Sequence, residues 1–319
     1  MSRRRKFFSS WKNWIALGMI AIFAVMAIGA PLISPADPQD PTNPFRYITP
    51  GIPRVPQAPN SEAPLGTLHD GADVFHTLVW GARDAFTFGL SVTVLIFLIG
   101  AIVGTLSAYN KGFLGKFLLW FTDTLLAFPV IVSTVLFHNI FISMILKIVG
   151  AENIAMLRIM TFNLRVMPPQ TKALMALDPI LISFVLFLWM PYARLMNSSV
   201  RKVLKNEYIL AARASGVRNG RIMFRYVIPN AIQPLITVAA KDVGALVVLQ
   251  SALSYLGMGK GSPWASLLQA GRDFMFAPKG VFTYWWIFVP VGLAIILFSM
   301  AWGLLGDGLN KALDPKEDA

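Results

Sequence analysis

Long apolar runs separated by charged gaps set the pattern of this chain. Six stretches, roughly 14–33, 86–108, 117–137, 179–197, 232–254 and 284–305, hold few or no charges at their centres. Each reaches the ~20 residues a helix needs to cross ~30 Å of hydrocarbon. They are built from Leu, Ile, Val, Phe, Gly and Ala without the ten-residue alternation of a barrel strand. Lipid offers no water to unpaired backbone groups, so this pattern predicts six transmembrane helices and an all-α integral membrane fold.

The gaps between these runs differ in kind. Residues 34–69 are Pro-rich (PADPQDPTNP, then TPGIPRVPQAPN) and predict an extended segment rather than a helix. After it, Phe75, Leu78, Val79 and Ala82 follow i, i+3, i+4, i+7 spacing. This predicts a short amphipathic helix over Asp70–Arg83, lying at the membrane surface ahead of the second span. Residues 139–178 form a second long gap. Phe141–Val149 is apolar but too short to span, while Arg158, Arg165, Pro168, Pro169 and Lys172 keep the rest in water, which suggests a re-entrant or interfacial element.

The gap at 207–230 reads EYILAARASGVRNGRIMFRYVIPN. It predicts a short helix, Glu207–Ala214, ended by Gly216, then a second helical turn closed by Pro229-Asn230. A folded element where membrane chains usually carry a short loop points to a surface built to touch another molecule.

Composition agrees with the apolar pattern: of 319 residues, 55% are hydrophobic and 14% charged, and the mean hydropathy of +0.60 is far from that of a soluble domain. The net charge of +12 would suggest nucleic acid for a soluble protein, but cytoplasmic loops of membrane proteins collect Lys and Arg for another reason. Basic residues crowd the 3–12 cluster, Lys111, Lys116 and the 194–225 stretch, with Lys311 and Lys316 at the end. The opposite side carries fewer over a greater length, among them Arg46, Arg54, Arg83, Arg272 and Lys279. The positive-inside rule therefore places both termini and residues 198–230 in the cytoplasm. The apolar run after Arg3-Arg4-Arg5-Lys6 is longer than a signal-peptide core, and Pro31 sits just past its small residues, so it reads as an uncleaved anchor. Organisation follows as 1–84 (tail, first span, outer segment), 85–309 (five-helix core with a cytoplasmic loop at 201–230) and 310–319 (tail).

Catalytic chemistry is hard to find. There is no cysteine, and His69, His76 and His138 are too scattered to predict a metal site. No G-x-x-x-x-G-K-[ST] phosphate loop, H-E-x-x-H or G-x-S-x-G occurs. The chain is thus expected to be no enzyme and to hold no cofactor, and any ATP must be bound by another subunit. The 207–230 element then becomes the candidate energy-coupling contact. Ala211, Ala212 and Ala214 leave a narrow helix able to sit in a partner's groove, Glu207 suits the positive end of the helix dipole, and Arg213 suits the negative end. Gly216 can take the left-handed conformation that stops the helix. A basic loop resting on anionic lipid headgroups remains open on the same residues.

Glu207, Ala211, Ala212 and Gly216, followed by Ile228-Pro229, resemble the EAA motif of ABC importer permeases. Glu-Tyr-Ile-Leu-Ala-Ala-Arg-Ala-Ser-Gly is similar to the form in the dipeptide/oligopeptide/nickel branch. Further landmarks resemble that branch in order: Pro64-Leu65-Gly66-Thr67, Gly81-Ala82-Arg83, Asp123 with Ala127-Phe128-Pro129, Tyr192-Ala193-Arg194, Ser254-Tyr255-Leu256-Gly257, Gly271-Arg272-Asp273, Gly306-Asp307-Gly308 and Leu313-Asp314-Pro315. The likeness covers almost the whole chain and points to the C-type permease of a type I importer in a bacterial cytoplasmic (inner) membrane. It implies a homologous B-type permease, two ABC ATPase subunits carrying ATP and Mg, and an extracytoplasmic substrate-binding protein, with membrane lipid around the chain and no nucleic acid. It implies an ATPase-coupling role for Glu207, Tyr208, Ala211, Ala212, Arg213, Ser215 and Gly216, and peptide or similar small solutes, including nickel chelates, as cargo. Two departures stand out: Asp70-Gly71-Ala72-Asp73 replaces a Leu-Gly-Arg-Asp tetrad, and the 139–178 segment is long. An ATPase-independent channel or secondary transporter is the rival from another class, expected to carry more ionisable groups in mid-membrane.

Asp123, with Phe128 and Pro129, is the candidate for the translocation path. An ionisable group inside a span faces the bundle interior, where it either meets substrate or braces a neighbouring helix near the Pro129 kink. Lys241 and Asp242 are adjacent and cannot pair with each other on a helix, so each needs its own partner or an interfacial position. Trp11, Trp14, Trp80, Trp120, Trp285 and Trp286 fall near span ends as interfacial anchors, while Trp264 is left between loop packing and docking a binding protein.

Overall fold

A computed structural model describes residues 3–36, 45–48, 55–110, 112–149, 177–259, 261–275 and 282–313. Their helices, in chain order, are α1 (Arg3–Ser9), α2 (Trp11–Ile33), α3 (Val74–Tyr109), α4 (Phe113–Leu126), α5 (Val130–Val149), α6 (Pro179–Val203), α7 (Glu207–Ala214), α8 (Asn219–Ile222), α9 (Ile228–Ala231), α10 (Gln233–Tyr255), α11 (Pro263–Gly271) and α12 (Trp285–Leu313). Among the described residues, α2, α3, α5, α6, α10 and α12 are long and apolar enough to cross a membrane. No strand forms there; two isolated bridges, Tyr47 with Ala72 and Thr67 with Asp73, tie the described parts of the Pro-rich segment to the start of α3.

Three elements depart from expectation. No separate surface helix precedes the second span, because Val74–Tyr109 is one helix of 36 residues. It contains no proline, and Asp73 starts it: the Phe75 amide donates to the Asp73 carboxylate at 2.9 Å, an N-cap. The third span is not 117–137, since α4 stops at Leu126 and a new helix begins at Val130. Pro129 lacks an N–H and disfavours helical backbone at Phe128, so the helix ends one turn before it. The 139–149 part of the expected outer gap is then the second half of the 20-residue α5; residues 150–176 lie outside the described residues. Lastly, Pro229 does not close the cytoplasmic element. A π-helical turn at Met223–Val227 leads into α9, where Pro229 sits in the first turn, a position whose N–H is unpaired in any helix.

The chain divides into two compact units, one of residues 1–94, 233–257 and 261–319, the other of residues 95–232 and 258–260. The first unit centres on Phe23, Trp264, Trp286, Val291 and Phe298. Phe23, Trp264 and Phe298 pack edge to face, with centroids 5.4–6.1 Å apart. Trp264 is fully buried, and its indole N–H donates to the Leu78 carbonyl at 2.9 Å. It is a core residue of its own unit, which rules out the docking role. Gly81 lies under it, where any Cβ would collide with the indole ring. Trp286 is also buried, with its N–H directed at the Thr67 carbonyl 3.4 Å away, so it is no interfacial anchor. Trp11, Trp14, Trp120 and Trp285 are exposed. Lys241 on α10 finds its partner in Asp307 on α12, 2.6 Å away.

In the second unit, Gly100 and Gly104 sit one turn apart on α3 and face α6, where a Cβ at either would strike Tyr192, Ala193 or Met196. Small residues at this spacing let two helix backbones approach closely, the packing that joins helices when lipid removes the hydrophobic driving force. The Asn197 amide donates to Ser107 Oγ at 2.7 Å across the same seam. Phe141 and Ile145 of α5 pack with Ile182 of α6.

Candidate coupling site

Helix α7 is eight residues long and belongs to the second unit. So short a helix has little stability of its own, and two features hold it. Ile209 is wholly buried and anchors one face. The C-terminal end is closed by a pair of backbone bonds: Val217 N–H donates to the Ala212 carbonyl at 3.2 Å and Gly216 N–H to the Arg213 carbonyl at 3.0 Å. These are the 6→1 and 5→2 bonds of a Schellman motif, which needs a left-handed residue just past the helix. Gly216 supplies it at φ +74°. Nothing lies within 4 Å of where its Cβ would be, so the glycine answers a backbone demand rather than a crowded site. Ser215 Oγ adds a bond to the Ala211 carbonyl at 2.9 Å.

Apart from Ile209 and the half-buried Ala212, the helix is turned outward. Glu207, Tyr208, Leu210, Ala211, Arg213, Ala214, Ser215 and Gly216 are all exposed. Phe224, from the π-helical turn that follows, is 76% exposed. Charged, small and apolar groups are thus all presented outward, and Tyr208, Leu210 and Phe224 are the exposed apolar ones. All seven residues expected from the sequence fall on or immediately after α7. The exposure of Phe224 was not foreseen, because an aromatic residue in an apolar-basic run gives no sign of which way it points.

The path candidates lie elsewhere in the same unit. Asp123, in the last turn of α4, stands 3.4 Å from the Arg194 guanidinium of α6, both side chains partly exposed. This contact is the one the bracing reading requires, and the exposure of Asp123 leaves its carboxylate open to the path as well. Phe128 and Pro129 are exposed in the break between α4 and α5. Among the described residues no group of three or more His, Asp or Glu side chains could hold a metal ion. The Asp73 carboxylate, fully buried, is neutralised by Arg46 at 2.9 Å, a pair from the Pro-rich segment and α3 that the sequence did not announce.

Comparison with known proteins agrees with these landmarks. The family described as binding-protein-dependent transport system inner membrane component matches residues 96–318. A dipeptide transport system permease protein of Alkalihalophilus pseudofirmus is 28% identical over 96% of this chain and 87% of its own length. An oligopeptide transport system permease protein of Bacillus subtilis is 27% identical over 98% of this chain and 88% of its own. A di/tripeptide transport system permease protein of Pseudomonas aeruginosa is 29% identical over 79% of this chain and 72% of its own. These relatives are permease subunits of transport systems rather than enzymes. With a family match reaching from the middle of α3 to the C-terminal tail and six helices able to span a bilayer, the chain is a multi-pass membrane permease that belongs to the binding-protein-dependent transport system inner membrane components.

Proposed function

We propose that this chain is the C-type permease of an ATP-driven importer of di- or oligopeptides in a bacterial cytoplasmic membrane, with both termini inside. The observation that carries the reading is α7: a short helix, fixed at its end by Gly216 and turned outward, on the side richest in Lys and Arg. A homologous B-type permease would complete the pathway, two ABC ATPases with ATP and Mg would drive it, and an extracytoplasmic binding protein would deliver cargo. Glu207, Tyr208, Ala211, Ala212, Arg213, Ser215 and Gly216 would form the contact with one ATPase. ATP binding closes the ATPases, α7 is carried with them as a rigid body, and the spans switch from inward-facing to outward-facing to accept cargo. The names of the relatives support peptide, and solutes of other chemistry within the family are the second choice.

Asp123, Phe128 and Pro129, at the exposed break between α4 and α5, are the proposed pathway residues of this subunit. The reading is tested by placing Trp at Ala212. Uptake of radiolabelled dipeptide and transport-coupled ATP hydrolysis should fall at least tenfold while the amount of protein in the membrane is unchanged. Undiminished uptake would remove α7 from the coupling contact. A self-sufficient channel would transport as the isolated chain; a permease subunit would not.

A further inference from the structure

A second feature lies beside α7 in the same unit, a cavity of about 510 Å³ at the ends of the long helices. Four cationic side chains line it: Lys116 from the first turns of α4, Arg201 and Lys205 from the end of α6, and Arg213 from α7. Ala108, Asn110, Gly115 and Leu204 complete its lining. At Gly115 a Cβ would collide with the Asn110 carbonyl, so only glycine allows this turn to close. No carboxylate lines the cavity, and none of the four cations has an ion-pair partner among the described residues.

All four cations are solvent-exposed, and no acidic side chain on the cavity wall offsets their charge. Arg201 and Lys205 suit the negative end of α6, but Lys116 lies near the positive end of α4, where the helix gives no reason for a cation. Four cationic donors with no carboxylate among them are complementary to a phosphate group. The helix that carries Lys116 decides which phosphate. Phe113, Phe117 and Phe121 are exposed and stacked along α4, with ring centroids 6.1–6.2 Å apart, and Trp120 stands exposed beside them. A cationic recess and an aromatic stripe that share α4 fit a molecule with a phosphate at one end and acyl chains at the other.

We propose that this cavity binds the phosphate headgroup of an anionic phospholipid. The phosphate neutralises α4, α6 and α7 together. By bridging Arg213 to the helices behind it, the lipid fixes the base of α7; this consequence rests on the coupling reading, whereas the binding itself does not.

The test uses the full-length chain, purified with whatever subunits accompany it and supplied with phosphatidylglycerol or phosphatidylcholine, with retained lipid counted by native mass spectrometry. Wild type should retain phosphatidylglycerol and not phosphatidylcholine. The triple variant K116Q/R201Q/K205Q should lose affinity for it on the order of a hundredfold. The charge-preserving triple K116R/R201K/K205R, which also controls for folding, should keep it. So should R221Q/R225Q, which removes exposed cations outside the cavity. Wild-type retention by the neutral triple, or equal loss in R221Q/R225Q, overturns the site. Equal retention of phosphatidylcholine, or displacement of phosphatidylglycerol by millimolar inorganic phosphate, overturns the anionic lipid as its occupant.

Discussion

Two glycines near the proposed coupling element show how a single residue is constrained. Gly216 and Gly220 both have open space where a Cβ would go, but only Gly216 has a positive φ, +74°. Alanine at 216 meets no atom, yet must adopt a left-handed backbone that is strained by roughly 1–2 kcal/mol. Alanine at 220 replaces a glycine inside α8, and helix propensity favours it by about 1 kcal/mol. We therefore predict that Gly216→Ala lowers peptide uptake and coupled ATPase activity several-fold, while Gly220→Ala leaves both near wild type. Gly216→Asn should recover much of the loss, since asparagine tolerates this conformation better than alanine. If Gly216→Ala and Gly220→Ala behave alike, backbone geometry is not what α7 requires. Asp123 and Arg194 allow a second test at this scale. Their pair joins α4 to α6 at 3.4 Å, so D123N and R194Q should be non-additive in thermal stability, with a coupling of about 1 kcal/mol or less because both side chains are partly exposed. Strict additivity would mean that the pair does not brace the helices.

At the level of elements, helix boundaries and helix contacts answer to different signals. Asp73 starts α3 and Pro129 keeps α4 from running into α5, and both act through backbone groups adjacent in sequence. These are local devices, legible in principle, although hydropathy alone placed one uninterrupted span across Pro129. Contacts are another matter. Gly81 beneath Trp264, and Gly100 with Gly104 against α6, are glycines because a second helix passes over them. Nothing beside them in sequence says which helix that is. Trp264→Ala should empty a fully enclosed site in the first unit and cost roughly 3–5 kcal/mol, read as a large drop in melting temperature of the detergent-solubilised protein. Trp264→Phe should cost less, from lost volume and the missing bond to the Leu78 carbonyl. A Trp264→Ala protein that melts like wild type would contradict its place in the core.

For the whole molecule, the strongest expectation is incompleteness. A permease subunit whose proposed coupling helix and proposed path residues are exposed presents surfaces suited to other chains. Affinity purification of the tagged full-length chain from its native membrane should bring down a second permease and two ATPase subunits in stoichiometric amounts, and a chain isolated alone that still transports peptide would refute the assembly. What lay in the sequence by itself was the partition of the chain between lipid and water: six apolar runs, a Pro-rich segment that forms no helix in its described residues, and a basic element held between spans. Those properties depend on the composition of consecutive residues, which a linear reading can sum. The tertiary structure decided which faces meet: that Trp264 and Trp286 turn inward, that Arg194 finds Asp123 and Lys241 finds Asp307, and that Lys116, Arg201, Lys205 and Arg213 converge on one recess. The physical reason is that a helix surrounded by lipid is apolar on nearly every side. Its hydrophobic periodicity then no longer marks the buried face, and only packing against another helix selects it.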